Sequence, residues 1–390
     1  MKLLFVSSLG SPERPAHRKK WGSEMNILFV SKLSAFARSV FTISKYIDVG
    51  RALGHQVSLF GEQTNERPLL PYTLNARHFD FAVFVVYEPW DFPDMPYLAQ
   101  LLDSIPKERR VIIDCCGRYN DTVRVEHDFN HLEKMDRHQG WEWVEGFDAV
   151  SNTILQPTLQ PRLAGVRSFL WHGFDPAAVL KPYASAAEAA SAWANSNGRA
   201  KAYGLTYVGH NWQRWTQLRA LLTGVEPLSA DLGPIAFAGS DWDKRPEWAT
   251  ELGIQGVDVD PELLARARVE AKPPVPFQEM IQFMSDGKMS PIVHRPLFNE
   301  LGFVTNRTFA TFCADTIPLL MLPEDLTASI YGLSAGRLRL GSDITGDVAR
   351  ILRNATPYWQ AVLDTRRYLA AHHTFQHRFQ ELQRILDGEA

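Results

Sequence analysis

Residues 290–321 read SPIVHRPLFNELGFVTNRTFATFCADTIPLLM, and the alternation within this stretch indicates the fold class. Ser290–His294 is an apolar run, as expected for a strand that is buried on both faces of a parallel sheet. Asn306–Cys313 then has apolar residues at helical spacing, and Pro318–Met321 is a second apolar run. A strand, a helix and a strand in this order predict a βαβ unit.

The same alternation extends upstream as far as Met25, and a long helical pattern follows downstream. The fold class is therefore α/β, with doubly wound parallel sheets. Further strands are predicted at 26–31, 56–61, 80–87, 110–114, 149–151, 168–170, 205–208 and 235–238, and further helices at 41–53, 184–194, 213–222, 277–284 and 357–386.

The chain length of 390 residues fits two domains at about 150 residues each. Two prolines and an Ala- and Ser-rich run interrupt the alternation near the middle and predict a linker. Ligands of such sheets bind at the carboxyl ends of the strands, so we expect a site in the cleft between the domains. The predicted boundaries are 1–24 (an extension or an extra edge strand), 25–175 (first Rossmann-like domain), 176–203 (linker), 204–356 (second Rossmann-like domain) and 357–390 (C-terminal helix).

Composition and missing motifs exclude several functions. The net charge is −3, so no overall positive field would hold nucleic acid or an anionic membrane, although a local basic groove stays open. Three cysteines cannot form a disulfide framework, which predicts a cytoplasmic protein. No stretch is apolar enough to span a membrane. Dinucleotide, Walker and nucleophile-elbow motifs are missing, which argues against a dehydrogenase, a P-loop kinase and a serine hydrolase.

The first candidate anion site is the segment that begins at Tyr207 and reads YVGHNWQR. Gly209 and His210 follow a predicted strand and precede a helix, where a glycine lets backbone amides approach a phosphate. Arg214 lies about one turn into that helix and could contact the same anion. The alternative is an ordinary turn that places its tryptophans in the core.

The second candidate site combines His294 and Arg295 with the start of the helix at Asn306. Arg307 and Thr308 fall in the first helical turn, where a cation opposes the helix dipole and an anionic ligand would compensate it. A diphosphate would satisfy both the amides and the guanidinium. The alternative is that Arg307 pairs with a nearby acid, such as Glu300 or Asp315.

These motifs resemble a known family. The segment VTNRTFATFCADTIPLL from Val304, the segment YLAAHHTFQHRF from Tyr368, and the phosphate loop at Gly209 with Arg214 are similar to the donor-binding half of GT-B glycosyltransferases, in particular the CgeB-like (spore maturation protein) branch. The resemblance spans most of residues 200–388 in pattern, but only these motifs in identity.

The resemblance implies two Rossmann-like domains that face a central cleft. A nucleotide-diphosphate sugar would bind to the second domain and a hydroxyl acceptor to the first, with no metal and no other cofactor. The expected donor-binding residues are Gly209, His210, Arg214, His294, Arg295, Asn306, Arg307 and Thr308.

The chain departs from the family at Ala310, where the family has a glutamate that holds the donor ribose, and at Asp315, where it has a glycine. The ribose contact has moved to another residue, the donor is different, or catalysis has been lost.

In the first half, Glu88 and Asp114 follow predicted strands and are candidates for work on the sugar or the acceptor. A retaining reaction needs mainly a neutralised leaving group, whereas an inverting one needs a general base, for which Asp114 and His127 are candidates. Cap or turn roles are the alternatives for these acids, and a solvated helix face is favoured over a metal site for His127.

The sequence therefore predicts a cytoplasmic, metal-independent glycosyltransferase with an unidentified acceptor. Two other hypotheses stay open: a non-catalytic GT-B-like binding protein, and an enzyme that glycosylates bases in DNA. Ala310 favours the first of these, and the acidic balance of the chain argues against the second.

Overall fold

A computed structural model of the chain describes residues 24–31, 39–64, 69–87, 97–117, 119, 146–194, 201–251 and 256–389. Within them, the first sheet has seven parallel strands in the order β3-β2-β1-β4-β5-β6-β7. The strands are β1 (Asn26–Val30), β2 (Gln56–Phe60), β3 (Tyr72–Thr73), β4 (Phe81–Val86), β5 (Arg110–Asp114), β6 (Thr153–Gln156) and β7 (Val166–Ser168).

The second sheet has five parallel strands in the order β10-β9-β8-β11-β12. In both sheets the strand order reverses beside the first strand, which creates a crevice at the carboxyl ends of the central strands. The strands are β8 (Tyr203–Val208), β9 (Ile235–Ala238), β10 (Val269–Lys272), β11 (Gly287–Ile292) and β12 (Ile317–Leu320).

Helices cover the sheets, and short 3₁₀ turns and a helical segment at 146–150 complete the described secondary structure. The helices are α1 (Ser39–Ala52), α2 (Leu98–Ser104), α3 (Ala186–Ala194), α4 (Trp215–Val225), α5 (Ser229–Leu232), α6 (Glu247–Glu251), α7 (Pro261–Arg266), α8 (Met280–Ser285), α9 (Pro296–Glu300), α10 (Asn306–Cys313), α11 (Glu324–Tyr331), α12 (Ile344–Arg353), α13 (Thr356–His372) and α14 (Phe375–Leu386).

Burial on both faces explains why the strands have continuous apolar runs. In β4, Val83 and Val85 point into one core cluster, whereas Ala82, Phe84 and Val86 point into the cluster on the opposite face. A polar residue on either face would lose its hydration, so no alternation with polar residues develops.

One predicted strand is wrong, and the bounds of another are shifted. The run at 149–151 is not a strand, because residues 146–150 are helical and the strand begins at Thr153. Phe147 and Val150 are buried at a helical spacing of three, and a short apolar run does not distinguish the two structures. The predicted strand at 168–170 lies at Val166–Ser168.

The predicted single helix at 357–386 is two helices, α13 and α14. The first of these helices ends just before His373. Thr374 caps the second helix, and its side chain accepts a hydrogen bond from the His377 amide at 3.3 Å. The His377 ring accepts a bond from the Thr374 amide at 3.2 Å, which completes a capping box.

The break at Thr374 sends the chain from one domain to the other. Trp359 and Leu369 of α13 lie in the core of the second sheet, whereas Phe375 and Phe379 of α14 lie in the core of the first. The C-terminal residues therefore fasten the two domains together.

The change from the first sheet to the second falls between Ser168 and Tyr203, and α3 of the predicted linker packs into the core of the second sheet. Residues 1–23 and 195–200 lie outside the described part of the chain. No helix of the described residues is long and apolar enough to cross a membrane.

The carboxyl ends of the two sheets face each other across direct contacts. The Val304 amide donates to the Pro157 carbonyl at 2.8 Å, and Thr158 Oγ1 donates to the Leu301 carbonyl at 2.7 Å. Gly117, three residues after β5, leaves no room for a Cβ beside the Leu301 side chain. The segment that follows β11 thus forms part of the wall between the domains.

Candidate functional site

The turn after β8 is fixed to the neighbouring turn after β9. The Ser240 amide donates to His210 Nδ1 at 3.1 Å, and the Asn211 amide donates to the Ser240 carbonyl at 3.0 Å. Trp242 Nε1 donates to the Gly209 carbonyl at 2.8 Å. These bonds hold the β8 turn in one conformation before any ligand binds.

Gly209 allows a guanidinium to lie directly on this turn. Its φ of +151° is a backbone conformation that side chains disfavour, and a Cβ at this position would overlap Arg307 Nη2. The glycine therefore brings the end of β8 against the start of α10.

The first turn of α10 is capped and carries Arg307. Thr305 and Thr308 form a capping box in which the Thr305 amide donates to Thr308 Oγ1 at 3.0 Å. Arg307 reaches back to β8, where Nη1 donates to the Tyr207 hydroxyl at 2.9 Å. Its Cζ lies 4.8 Å from the centre of the Tyr207 ring.

His294 lies at the carboxyl end of β11 and is 2% exposed. Its amide donates to Gln217 Oε1 at 3.1 Å, and its Nε2 lies 3.4 Å from Thr308 Oγ1. Nδ1 is buried and has no hydrogen-bond partner among the residues that the structure describes. Burial, followed by the charges of Arg307, Arg214 and Arg295, lowers the pKa of His294 to about 3. The imidazole is therefore neutral near pH 7.

Three guanidiniums surround this imidazole. Arg214 and Arg295 are both buried, and Arg214 Nη1 donates to the carbonyls of His210 and Trp212 at 3.1 and 3.2 Å. The Arg295 Cζ lies 4.1 Å from the centre of the Phe298 ring. The site concentrates positive charge where the amino end of α10 adds its own.

The acids that were alternatives as partners of Arg307 pair elsewhere. Glu300 forms a salt bridge with Arg162 at 3.0 Å, and Asp315 forms one with Lys201 at 2.9 Å. Among the described residues, none of the acids lies within salt-bridge distance of Arg307. The alternative in which Arg307 is neutralised by Glu300 or Asp315 is therefore wrong.

Ala310 and Asp315, the two residues that depart from the family pattern, both have contacts within the second domain. Ala310 packs in a small apolar cluster with Met280, Met284 and Ala314. Asp315 also accepts a bond from the Tyr183 hydroxyl at 2.9 Å, so its carboxylate ties the linker segment to the end of α10.

On the first domain, Asp114 ends β5 and is 0% exposed. Its carboxylate accepts bonds from the Cys116 amide at 3.3 Å, the Tyr119 amide at 2.9 Å and Gln156 Nε2 at 3.0 Å. This carboxylate holds the turn after β5, and its catalytic role stays a prediction. Glu88 and His127 lie outside the described residues.

The structure brings the residues of both predicted anion sites together into one site at the ends of β8 and β11 and the start of α10. Sequence reasoning missed Tyr207 and Gln217, which hold Arg307 and His294. A signal for Tyr207 was present, because alternate residues of a strand share a face and Tyr207 lies two residues before Gly209. In the described part of the chain, no group of three His, Cys, Asp or Glu side chains is arranged to hold a metal ion.

Comparison with protein-family models finds no match, and comparison with curated proteins finds none. Solved structures do match over nearly the whole chain. T4 phage BGT in complex with UDP-glucose is 10% identical with a TM-score of 0.54, over 93% of this chain and 99% of that one. An alpha-glucosyltransferase in complex with UDP and a 13-mer DNA containing an HMU base is 12% identical with a TM-score of 0.57, over 93% and 100%. Anabaena HepE in complex with UDP and glucose is 8% identical with a TM-score of 0.57, over 94% and 100%.

Identities this low establish the fold alone. The chain has the fold of these proteins, which is the GT-B fold with two Rossmann-like domains, and the fold class predicted from the sequence is confirmed. One fold supports many activities, so the activity of this chain depends on the residues of its own site.

Proposed function

We propose that this protein is a glycosyltransferase that moves a sugar from a nucleotide-diphosphate sugar to a hydroxyl acceptor. The observation that carries the proposal is Arg307, a cation in a first helical turn with no acid to neutralise it among the described residues, beside the buried His294 and two more guanidiniums. This arrangement fits a ligand with at least two negative charges, which a diphosphate supplies.

The residues of the site act on the leaving diphosphate. Arg214, Arg295 and Arg307 neutralise the charge that develops as the glycosidic bond breaks, and the amides at the start of α10 add to this effect. His294 stays neutral, because it is buried and because protonation would add a fourth positive charge to the cluster, and it interacts with the ligand through hydrogen bonding.

Since guanidiniums supply the positive charge, we propose that neither a metal nor another cofactor is needed. Turnover of a UDP-sugar is expected to change less than about twofold when EDTA replaces added Mg²⁺ or Mn²⁺, because no step uses a cation that the protein does not itself supply. A loss of turnover in EDTA that Mn²⁺ restores would contradict metal independence and leave the donor site intact.

The donor is proposed to be a uridine nucleotide, since UDP or UDP-glucose is the ligand of all three structural neighbours described above. The acceptor is proposed to bind to the first domain, where Asp114, Glu88 and His127 are the candidate catalytic residues. We also propose that the chain belongs to the CgeB-like branch and acts in the cytoplasm, which its three free cysteines suit.

DNA is the second candidate acceptor, because one neighbour was solved with a 13-mer DNA. The net charge of −3 makes a broad electrostatic contact with DNA unfavourable. Duplex binding that weakens steeply between 50 and 200 mM salt, as estimated for about six phosphate contacts, would favour this acceptor.

The test of the function is isothermal titration of the purified chain with UDP, GDP, ADP, CMP and dTDP. Selective binding of one nucleotide that is lost in Arg307→Ala is the expected result. Arg367→Ala is the matched control, because Arg367 is exposed on α13 and forms a salt bridge with Asp364 of the same helix. A wild-type chain that melts cooperatively and binds none of the nucleotides would favour the non-catalytic binding protein.

A further inference from the structure

Tyr207 combines deep burial with a hydroxyl that reaches the candidate donor site. Its ring is 0% exposed and packs edge-on against Phe237 and Trp242, with ring centres 5.6 Å away in both cases. Trp242 is itself fixed by its bond to the Gly209 carbonyl. The phenol therefore has a single position, set by the core of the second domain.

The hydroxyl of this fixed ring determines where the Arg307 guanidinium lies. Nη1 donates to it at 2.9 Å, and Nη2 lies over Gly209, where no Cβ would fit. Nε is buried, and within the described part of the chain it has no hydrogen-bond partner. The edge of the guanidinium formed by Nε and Nη2 is the one that matches two oxygens of a phosphate in a fork geometry.

We infer that Tyr207 is a positioning residue for the donor: its hydroxyl holds the Arg307 guanidinium against the β8 turn, so that its N–H donors are already oriented when the diphosphate binds. This inference rests on the proposed function. An arginine that is already held loses less side-chain freedom when its ligand arrives, and so binds more tightly than the same charge on an unheld side chain.

The first test is Tyr207→Phe, which keeps the ring and removes the hydroxyl. The Kd for UDP and for inorganic pyrophosphate, measured by isothermal titration, is expected to rise roughly tenfold, as for the loss of one hydrogen bond to a charged group. Tyr203→Phe is the matched control, because Tyr203 begins the same strand and its hydroxyl lies 3.3 Å from Glu270, at the far end from the site. Its Kd is expected to equal that of the wild type.

A double-mutant cycle separates positioning from a general effect on the fold. In an Arg307→Ala background, Tyr207→Phe is expected to change the Kd by less than about twofold, because the group that it positions is gone. An equal loss in both backgrounds would overturn the inference, and so would an unchanged Kd for Tyr207→Phe alone.

A second variant keeps the inference testable if Tyr207→Phe does not fold. Arg307→Lys retains the charge but not the fork, and the Kd is expected to rise roughly tenfold. A wild-type Kd in Arg307→Lys would show that charge alone suffices, which overturns the inference while the proposed function stands. A wild-type chain that binds neither UDP nor pyrophosphate would instead overturn the proposed function, and with it the inference.

Discussion

The two ends of α10 each meet an arginine, and the two guanidiniums are held in opposite ways. At the carboxyl end, the buried Arg366 donates to the carbonyls of Phe312 and Ala314 at 2.8 Å each and to that of Lys181 at 2.9 Å. At the amino end, Nη1 of Arg307 donates to the Tyr207 hydroxyl, and the buried Nε has no partner among the described residues. A cation at a helix carboxyl end is stabilised by the helix dipole, whereas one at the amino end is destabilised.

This difference suits two roles: Arg366 stabilises the fold, and Arg307 is the arginine that we propose binds the ligand. Arg366 satisfies carbonyls that the helix leaves without partners, so its charge is compensated within the domain. None of the acids in the described part of the chain lies within salt-bridge distance of Arg307, and we propose that an anionic ligand compensates its charge.

The largest expected effect is on stability, from Arg366→Ala. The two buried carbonyls of Phe312 and Ala314 and the partly buried one of Lys181 lose a charged donor, so the free energy of unfolding is expected to fall by about 4 kcal/mol. Urea denaturation measures it, with Arg367→Ala on the exposed face of α13 as the control that changes by less than about 0.5 kcal/mol. A loss below about 1 kcal/mol would show that Arg366 does not hold the fold.

The converse pattern is expected for Arg307→Ala. UDP affinity should fall by roughly 70-fold, or about 2.5 kcal/mol, while the free energy of unfolding stays within about 0.5 kcal/mol of the wild-type value. Isothermal titration and urea denaturation of the same sample give both numbers. A large loss of stability with unchanged affinity would reverse the roles assigned to the two arginines.

The third effect is a pH dependence that His294 contributes. Its pKa is about 3 in the folded chain and near 6.5 in the unfolded chain, so the unfolded state binds one more proton between these values. The contribution of His294 to the free energy of unfolding is at its full value above about pH 6.5. It decreases as the pH falls, by about 2 kcal/mol at pH 5.

Comparison with His294→Gln isolates this contribution, because His373 has a lowered pKa of about 3 for similar reasons and remains in both chains. Unfolding free energies are measured at pH 7 and pH 5. The wild type is expected to lose more stability than the variant over this interval. Equal losses would show that burial and the three guanidiniums do not lower the pKa of His294.

The smallest of the four effects is expected from Gly209→Ala. The added Cβ would overlap Arg307 Nη2 and displace the guanidinium, so the Kd for UDP should rise roughly tenfold. The positive φ adds a stability loss of about 1 kcal/mol. Gly165→Ala is the control for the backbone term alone, since Gly165 also has a positive φ but no neighbour near its Cβ position. Identical UDP affinity in Gly209→Ala and the wild type would show that the contact between the β8 turn and Arg307 of α10 does not contribute to donor binding.

The sequence predicted those parts of the site that depend on local order. Gly209, His294 and Arg307 follow strands or open a helix, and the carboxyl ends of parallel strands meet at one edge of a sheet. That these three residues lie near one another was therefore predictable from the order of strands and helices alone.

The contacts that hold the site come from distant parts of the chain. Tyr207 lies 100 positions from Arg307, and Arg366 lies 54 positions from Phe312, so no local pattern connects them. The break before Thr374 was missed because its capping box pairs Thr374 with His377, where the usual sequence signature has Glu or Gln.

The return of α14 to the first domain also constrains how the protein acquires its structure during synthesis. Phe379, Leu382 and Leu386 share a core cluster with Ile27 and Val57, although more than 300 residues separate them along the chain. Domains usually fold one after another as they leave the ribosome. Here the first domain emerges long before the helix that completes its core, so it waits with that apolar surface uncovered until the second domain has been translated.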